Sequence, residues 1–142
     1  ERILGKDEVA SSNLASSSKN RQASTEACRF LLVTYSLFTL HYNLVADFWE
    51  VKREKRESVL TNQLVRSGTS VGANIREAFY AHGRADFIAK LQIALKECSE
   101  SEYWLELLIE SGYYEDKRIL EQCVEIKKLL ISSINTAKNN LR

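Results

Sequence analysis

The stretch RSGTSVGANIREA at residues 66–78 contains two glycines, Gly68 and Gly72, four residues apart. A phosphate-binding loop of the Walker type needs GxxxxGK[ST], and a dinucleotide-binding loop needs GxGxxG after a strand. Neither spacing is present. In a helix each glycine costs roughly 0.5–1 kcal/mol relative to alanine, so a packing gain must offset it. The spacing therefore predicts a helix face on which another backbone packs closely.

Apolar residues around this stretch recur at steps of three and four, which is the helical period. Four segments share the pattern, at residues 29–50, 57–81, 85–111 and 116–139. The first segment is also rich in β-branched and aromatic residues, which locally favour strand, but its three helical neighbours favour a helix. The predicted core stripes are Phe30, Leu37, Phe38, Leu44, Val45 and Phe48; Leu60, Leu64, Val71, Ile75 and Ala78; Phe87, Leu91, Ala94, Cys98, Ser101, Leu105 and Leu108; and Ile119, Cys123, Ile126, Leu130 and Ile134.

The links between the segments predict how the helices are arranged. The three residues at 82–84 are short enough to make the second and third helices antiparallel neighbours, and Gly112 is a natural stop for the third. The predicted fold is all-α, an antiparallel up-down-up-down four-helix bundle over residues 26–142. Residues 1–25 are serine-rich and lack aromatic residues, so we expect either a disordered extension or one that is not native coding sequence.

Composition narrows the class of protein further. The chain has no proline, its formal net charge is +1, and its longest apolar run is about half a membrane span. The three cysteines, Cys28, Cys98 and Cys123, lack a framework spacing and are expected to be free thiols in a reducing compartment. These features predict a cytoplasmic protein that does not enter membranes.

Polar residues on the second segment are predicted to pair with the third. If the hairpin is centred near Gly83, residue numbers across it sum to about 166. Glu77 then lies opposite Lys90 and Arg66 opposite Glu100, with Glu97 one turn away. The resulting inter-helix polar ladder consists of Arg66, Asn74, Glu77, Lys90, Glu97 and Glu100. The alternative for the same residues is a polar functional groove.

Charge is unevenly distributed along the chain. The third segment is acidic, whereas residues 117–142 hold six basic and two acidic side chains, and VKREKRE at 51–57 is also basic. These runs are either solvated helix faces or a nucleic-acid footprint that an oligomer would repeat. The candidate nucleic-acid-binding residues are Lys52, Arg53, Lys55, Arg56, Lys117, Arg118, Lys127, Lys128 and Lys138.

Enzyme chemistry finds little support in the sequence. His41 and His82 have no assignable third partner, and the glutamates at 97, 100 and 102 lack the ExxH pattern of carboxylate metal sites. We expect no catalytic residue, metal or cofactor. Tyr103 and Trp104 are expected to pack in the core or at a subunit interface, or to anchor a partner protein.

Two blocks resemble a known family: QLVRSGTSVGANIREA at 63–78 and ADFIAKLQIALKECSESEYWLELL at 85–108. The chain resembles, over about residues 52–140, the bacterial four-helix bundle proteins often encoded by intervening sequences in 23S ribosomal RNA genes, whereas residues 1–45 match poorly. The resemblance implies a homopentamer with a central channel. It also extends to the accessory variability determinant of diversity-generating retroelements, which implies nucleic-acid binding and a reverse transcriptase as partner.

The predicted function is therefore that of a non-enzymatic, self-assembling bundle that binds nucleic acid, most plausibly structured RNA, through basic helix faces. The alternative is a protein-interaction scaffold whose basic faces only confer solubility.

Overall fold

The computed structural model describes residues 36–54 and 58–139, all within the compact unit Tyr35–Arg142. The predictions for residues 1–25, for the start of the first helix and for Cys28, Lys55 and Arg56 lie outside these residues. Residues 36–54 form helix α1, followed by α2 at Val59–Phe79, α3 at Arg84–Glu110 and α4 at Arg118–Asn139. The described residues form an all-α four-helix bundle, which confirms the predicted fold class.

Helix α1 overrides its local preference for strand because its helical spacing creates one buried face. Leu37, His41, Leu44, Phe48 and Val51 recur at steps of four and three, and all five are buried. Tertiary burial of such a stripe outweighs intrinsic propensity, which spans only about 1 kcal/mol. The helix continues to residue 54, beyond the predicted end at 50.

The core is built from the predicted stripes, with few exceptions. Every predicted position from Leu91 to Leu108 and from Ile119 to Ile134 is buried. The predicted positions that are only partly buried are Phe38, Val45, Leu60 and Phe87. Burial of about twenty apolar side chains at roughly 1.5–3 kcal/mol each is the main term that stabilises the bundle. Thr61 and Ser67 are also buried, which apolar periodicity did not indicate.

Helices α2 and α3 form an antiparallel hairpin with close contact between small residues. The buried hydroxyl groups of Ser67 and Ser101 lie 2.8 Å apart across the two helices. Each hydroxyl also has a backbone acceptor in its own helix, since Ser67 Oγ lies 3.0 Å from Gln63 O and Ser101 Oγ lies 3.0 Å from Glu97 O. The buried hydroxyl groups at this contact are therefore paired.

Helix α3 ends at the predicted stop. Gly112 adopts φ +73°, a left-handed conformation that glycine tolerates without steric cost. Its N–H donates to Ile109 O and the N–H of Tyr113 donates to Leu108 O, both at 3.0 Å. These two bonds form a Schellman motif that satisfies the last carbonyls of the helix. The chain then reverses over residues 111–117 into α4.

None of the helices in residues 36–54 and 58–139 is both long and apolar enough to cross a membrane.

Candidate functional site

The glycines of α2 accommodate aromatic rings from α1. A Cβ atom at Gly72 would lie 2.1 Å from His41 Cε1, and one at Gly68 would lie 2.6 Å from the Phe48 ring. Gly68 is thus paired with Phe48 and Gly72 with His41, so α1 runs antiparallel to α2. The sequence predicted close approach of another backbone at these glycines, whereas the groups that fill the space are side-chain rings.

His41 is tied to this contact by a hydrogen bond. Its Nε2 donates to the Gly68 carbonyl oxygen at 2.7 Å, and the side chain is buried. Burial lowers the pKa of His41 from its ordinary value, and the hydrogen bond to Gly68 opposes this shift. His41 therefore acts as a neutral core residue that joins α1 to α2.

The predicted polar ladder between α2 and α3 contains both of its main ion pairs. Arg66 Nη2 lies 2.5 Å from Glu100 Oε1, and Lys90 Nζ lies 2.5 Å from Glu77 Oε2. Arg66 is also held by Gln63 Oε1 at 2.9 Å, and Trp104 Nε1 donates to Glu100 Oε1 at 3.2 Å. The pairs are partly exposed, so they set the register of the hairpin more than they add stability.

Asn74 and Glu97 do not complete the ladder. Asn74 Nδ2 donates to Ser70 O at 2.9 Å within its own helix. Glu97 Oε2 is buried and accepts no hydrogen bond from any residue in the described part of the chain. The ladder thus consists of two separate pairs rather than a continuous row. Asn74 is not part of it because its amide bonds to a carbonyl in its own helix.

The structure divides the basic candidates into groups. Residues from the C-terminal half of α1 and from the start of α4 line one cavity, which brings Lys52 and Arg53 to the same end of the bundle as Lys117 and Arg118. Lys138 lies twenty residues beyond Arg118 in α4, roughly 30 Å along the helix axis. The candidates therefore do not form one continuous patch.

Two of these candidates are neutralised by close carboxylates. Arg118 pairs with Asp116 at 2.5 Å, and Lys127 of α4 pairs with Glu102 of α3. Arg53 pairs only loosely with Glu50, at 3.6 Å, and keeps 75% of its side chain exposed. Lys117, Lys128 and Lys138 are exposed and form no ion pair with another described residue.

Trp49 adds an exposed aromatic group that the charge pattern of the sequence does not indicate. The residue is 47% exposed, and Lys52 Nζ lies 4.9 Å from the ring centroid, within the range of a cation–π contact. The i, i+3 spacing of tryptophan and lysine on a helix was the available signal. The side chains of Trp49, Lys52 and Arg53, which we call the α1 basic–aromatic surface, thus combine an exposed ring with two cations.

A cavity of about 520 Å³ lies beside this surface. It is lined by Asp47, Glu50, Val51, Glu54, Tyr114, Asp116, Arg118, Ile119 and Gln122. Burial raises the pKa of Asp47, with a smaller contribution from Glu50, whereas the hydrogen bond to Arg118 lowers the pKa of Asp116. Four carboxylates face one guanidinium, so the cavity itself does not suit a phosphate.

The remaining residues considered for catalysis or metal binding are His82 and the acidic side chains. His82 is exposed in the link between α2 and α3, and its backbone N–H donates to Asp86 Oδ2 at 3.2 Å. Within residues 36–54 and 58–139, no three His, Cys, Asp or Glu side chains are grouped so that they could hold a metal ion.

An exposed aromatic patch lies on the outward side of α3. Tyr103 is 53% exposed and contacts the Trp104 ring edge-on at a centroid distance of 4.9 Å. Tyrosine, tryptophan and the neighbouring Arg66 are the residue types that dominate binding energy at protein interfaces. We call Tyr103 and Trp104 the α3 aromatic patch.

These features define an all-α bundle protein with basic and aromatic surfaces outside its core. A family model described as 23S rRNA-intervening sequence protein matches residues 34–132, and the chain belongs to that family. The match begins at residue 34, so it includes the described part of α1, whereas the sequence blocks alone placed its start near residue 52.

A solved structure supports the same assignment. The chain is similar to a Bacteroides thetaiotaomicron protein of unknown function from the S23 ribosomal protein family, with 46% identity and a TM-score of 0.66. The similarity covers 75% of this chain and 97% of that one. No curated protein matches the chain.

Proposed function

We propose that this protein is a non-enzymatic, self-assembling helical bundle that binds nucleic acid, with structured RNA as the leading partner. The observation that carries the proposal is the α1 basic–aromatic surface, where an exposed indole and two cations share one helix face. An exposed ring can stack on an unpaired base while neighbouring cations contact phosphates.

The location of this surface supports the proposal. Lys117, at the same end of the bundle, adds an exposed cation without a carboxylate partner among the described residues. Each subunit then offers about three phosphate contacts, which is modest. Repetition of the surface around an oligomer multiplies those contacts and hence the affinity.

The α3 aromatic patch supports self-assembly as the second part of the proposal. An exposed tyrosine beside a half-buried tryptophan is costly to leave in water and is typical of interface centres. The family resemblance makes a homopentamer the expected assembly.

An electrophoretic shift assay with a structured RNA hairpin at low salt tests the nucleic-acid proposal. We expect wild type to shift the RNA and Lys52→Ala/Arg53→Ala to weaken the shift at least about tenfold, since two phosphate contacts are lost. The matched control is Arg76→Ala/Lys96→Ala, which removes the same charge from exposed positions on α2 and α3. Equal weakening by both double variants contradicts a localised site.

Absence of any shift at low salt by a correctly assembled protein overturns nucleic-acid binding. That result favours the alternative, a protein-interaction scaffold that uses the α3 aromatic patch.

A further inference from the structure

Cys98 of α3 and Cys123 of α4 face each other in the core. Their sulfur atoms lie 3.8 Å apart, both thiols are free, and their exposed fractions are 1% and 0%. Each sulfur also lies 3.5 Å from the other residue's carbonyl oxygen. This reciprocal contact requires the two backbones to approach closely at this point.

We propose that Cys98 and Cys123 form a peroxide-responsive dithiol whose oxidation covalently joins α4 to α3. A disulfide needs the sulfur atoms at about 2.05 Å, so they must approach by less than about 2 Å. The two sulfur atoms already face each other across the helices. This inference is independent of the proposed nucleic-acid binding.

The reaction balances with hydrogen peroxide as the oxidant. One cysteine, as its thiolate, attacks a peroxide oxygen; an S–O bond forms, the O–O bond breaks, and hydroxide leaves. The second thiolate attacks the resulting sulfenic sulfur; the S–S bond forms and the S–O bond breaks, releasing a second hydroxide. The two thiols lose two electrons and two protons, and the peroxide becomes two waters.

The closed bundle protects the pair from this reaction. The hydrogen bond with Cys98, followed by burial, raises the pKa of the Cys123 thiol, so little reactive thiolate is present. Peroxide therefore reacts when α4 separates locally from α3. Once the helices close again, the sulfenic acid and the second thiol are adjacent.

The Glu102–Lys127 ion pair controls this opening. Glu102 and Lys127 lie four residues after Cys98 and Cys123, in helices that run antiparallel. Their side chains therefore start on opposite sides of the thiols along the bundle and meet beside them, where they join the two helices. Their side chains are only 17% and 28% exposed. A partly buried pair of this kind is costly to break, so it holds α4 against α3 over the dithiol.

The test uses the full chain with Cys28→Ser, and with Cys28→Ala as a second background, so that only the core thiols remain. The protein is treated with peroxide, quenched with N-ethylmaleimide and analysed by intact mass and tryptic mapping. We expect loss of two hydrogens and a cross-link between the peptides 97–117 and 119–127. The oxidised protein keeps its helical circular dichroism, gains several degrees in Tm, and returns to its starting mass and Tm with dithiothreitol.

Two matched lysine variants test whether peroxide reaches the thiols by local separation of α4 from α3. Lys127→Met removes the ion pair and is expected to accelerate cross-linking several-fold, whereas Lys128→Met, at the exposed neighbouring position, leaves the rate unchanged. Gain of oxygen atoms without the cross-link, or loss of helicity on oxidation, overturns the proposal that the pair is a dithiol switch. Equal rates for both lysine variants contradict the assigned route.

Discussion

At the residue scale, the glycines of α2 are explained by the rings that lie on them. Gly68 leaves room for Phe48, which is fully buried, and Gly72 leaves room for His41. The energetic cost of glycine in a helix is thus offset by burial of two rings and by the hydrogen bond from His41 to Gly68. The glycine spacing indicates that something packs closely, but it does not name the partner. His41 fits the helical spacing between Leu37 and Leu44. Because it is polar, the apolar pattern of the sequence did not predict that it would be a core residue.

Gly72→Ala is expected to destabilise the protein by about 1–3 kcal/mol although alanine is the better helix former, because the new methyl group overlaps the His41 ring. Urea unfolding followed by circular dichroism measures the change. Gly83→Ala is the control, since no atom lies within 4 Å of a Cβ there and the backbone is extended. A Gly72→Ala protein as stable as wild type contradicts the close contact.

The lowered pKa of His41 predicts that the free energy of unfolding falls on acidification. Because its pKa is lowered in the folded state, the unfolded chain binds the proton first. Its contribution is complete above the unfolded pKa of about 6.5 and falls as pH drops through that value, by at most about 1.4 kcal/mol per pH unit. Unfolding free energies between pH 8 and pH 5 should therefore fall more steeply for wild type than for His41→Gln. Equal slopes would falsify this role of His41.

At the element scale, the contact between α2 and α3 depends on small residues. Ser67 and Ser101 are both fully buried and their oxygens are in hydrogen-bond contact, so no larger side chain fits between the helices. Ser101→Leu is expected to destabilise the protein by about 1–3 kcal/mol, whereas Ser99→Leu at an exposed position of α3 changes stability by less than about 0.5 kcal/mol. Thermal unfolding of both variants checks this. Similar Tm values for the two contradict tight α2–α3 packing.

Register was predictable where the link between helices was short. The hairpin centred near Gly83 placed Arg66 opposite Glu100 and Glu77 opposite Lys90, and both pairs are in contact. The longer link between α3 and α4 gave no such constraint, so the contacts of Cys98 with Cys123 and of Glu102 with Lys127 could not be derived from residue numbers. Asn74 was misplaced because a carbonyl in its own helix satisfies it.

At the scale of the whole molecule, apolar periodicity was sufficient to predict the bundle but charge was not sufficient to predict a surface. Arg118 and Lys127 counted as basic in the sequence, yet carboxylates distant in the chain or in a loop neutralise them. The contact between Trp49 and Lys52 could be identified as part of a surface only from the structure, which shows which side of α1 is exposed. Ion pairing and side-chain exposure depend on how the helices pack, and the amino-acid composition does not give that packing.

Self-assembly through the α3 aromatic patch predicts a defined oligomer. Native mass spectrometry of wild type should give a single homo-oligomer, a pentamer by family resemblance, and Tyr103→Ser should shift it toward smaller species at low micromolar concentration. Tyr80→Ser, at a position 77% exposed, is the control. A monomeric wild-type protein, or equal effects of the two variants, is incompatible with this surface.

The proposed nucleic-acid binding at the α1 basic–aromatic surface is tested by the salt dependence of RNA binding. Each phosphate contact contributes a slope of about −0.7 to −0.9 to log K against log [salt], so an oligomer should show a steep slope. Lys52→Ala/Arg53→Ala should reduce that slope by more than one unit, whereas Arg76→Ala/Lys96→Ala should leave it unchanged. Binding with no salt dependence, or the same slope for wild type and Lys52→Ala/Arg53→Ala, contradicts phosphate contacts at this surface.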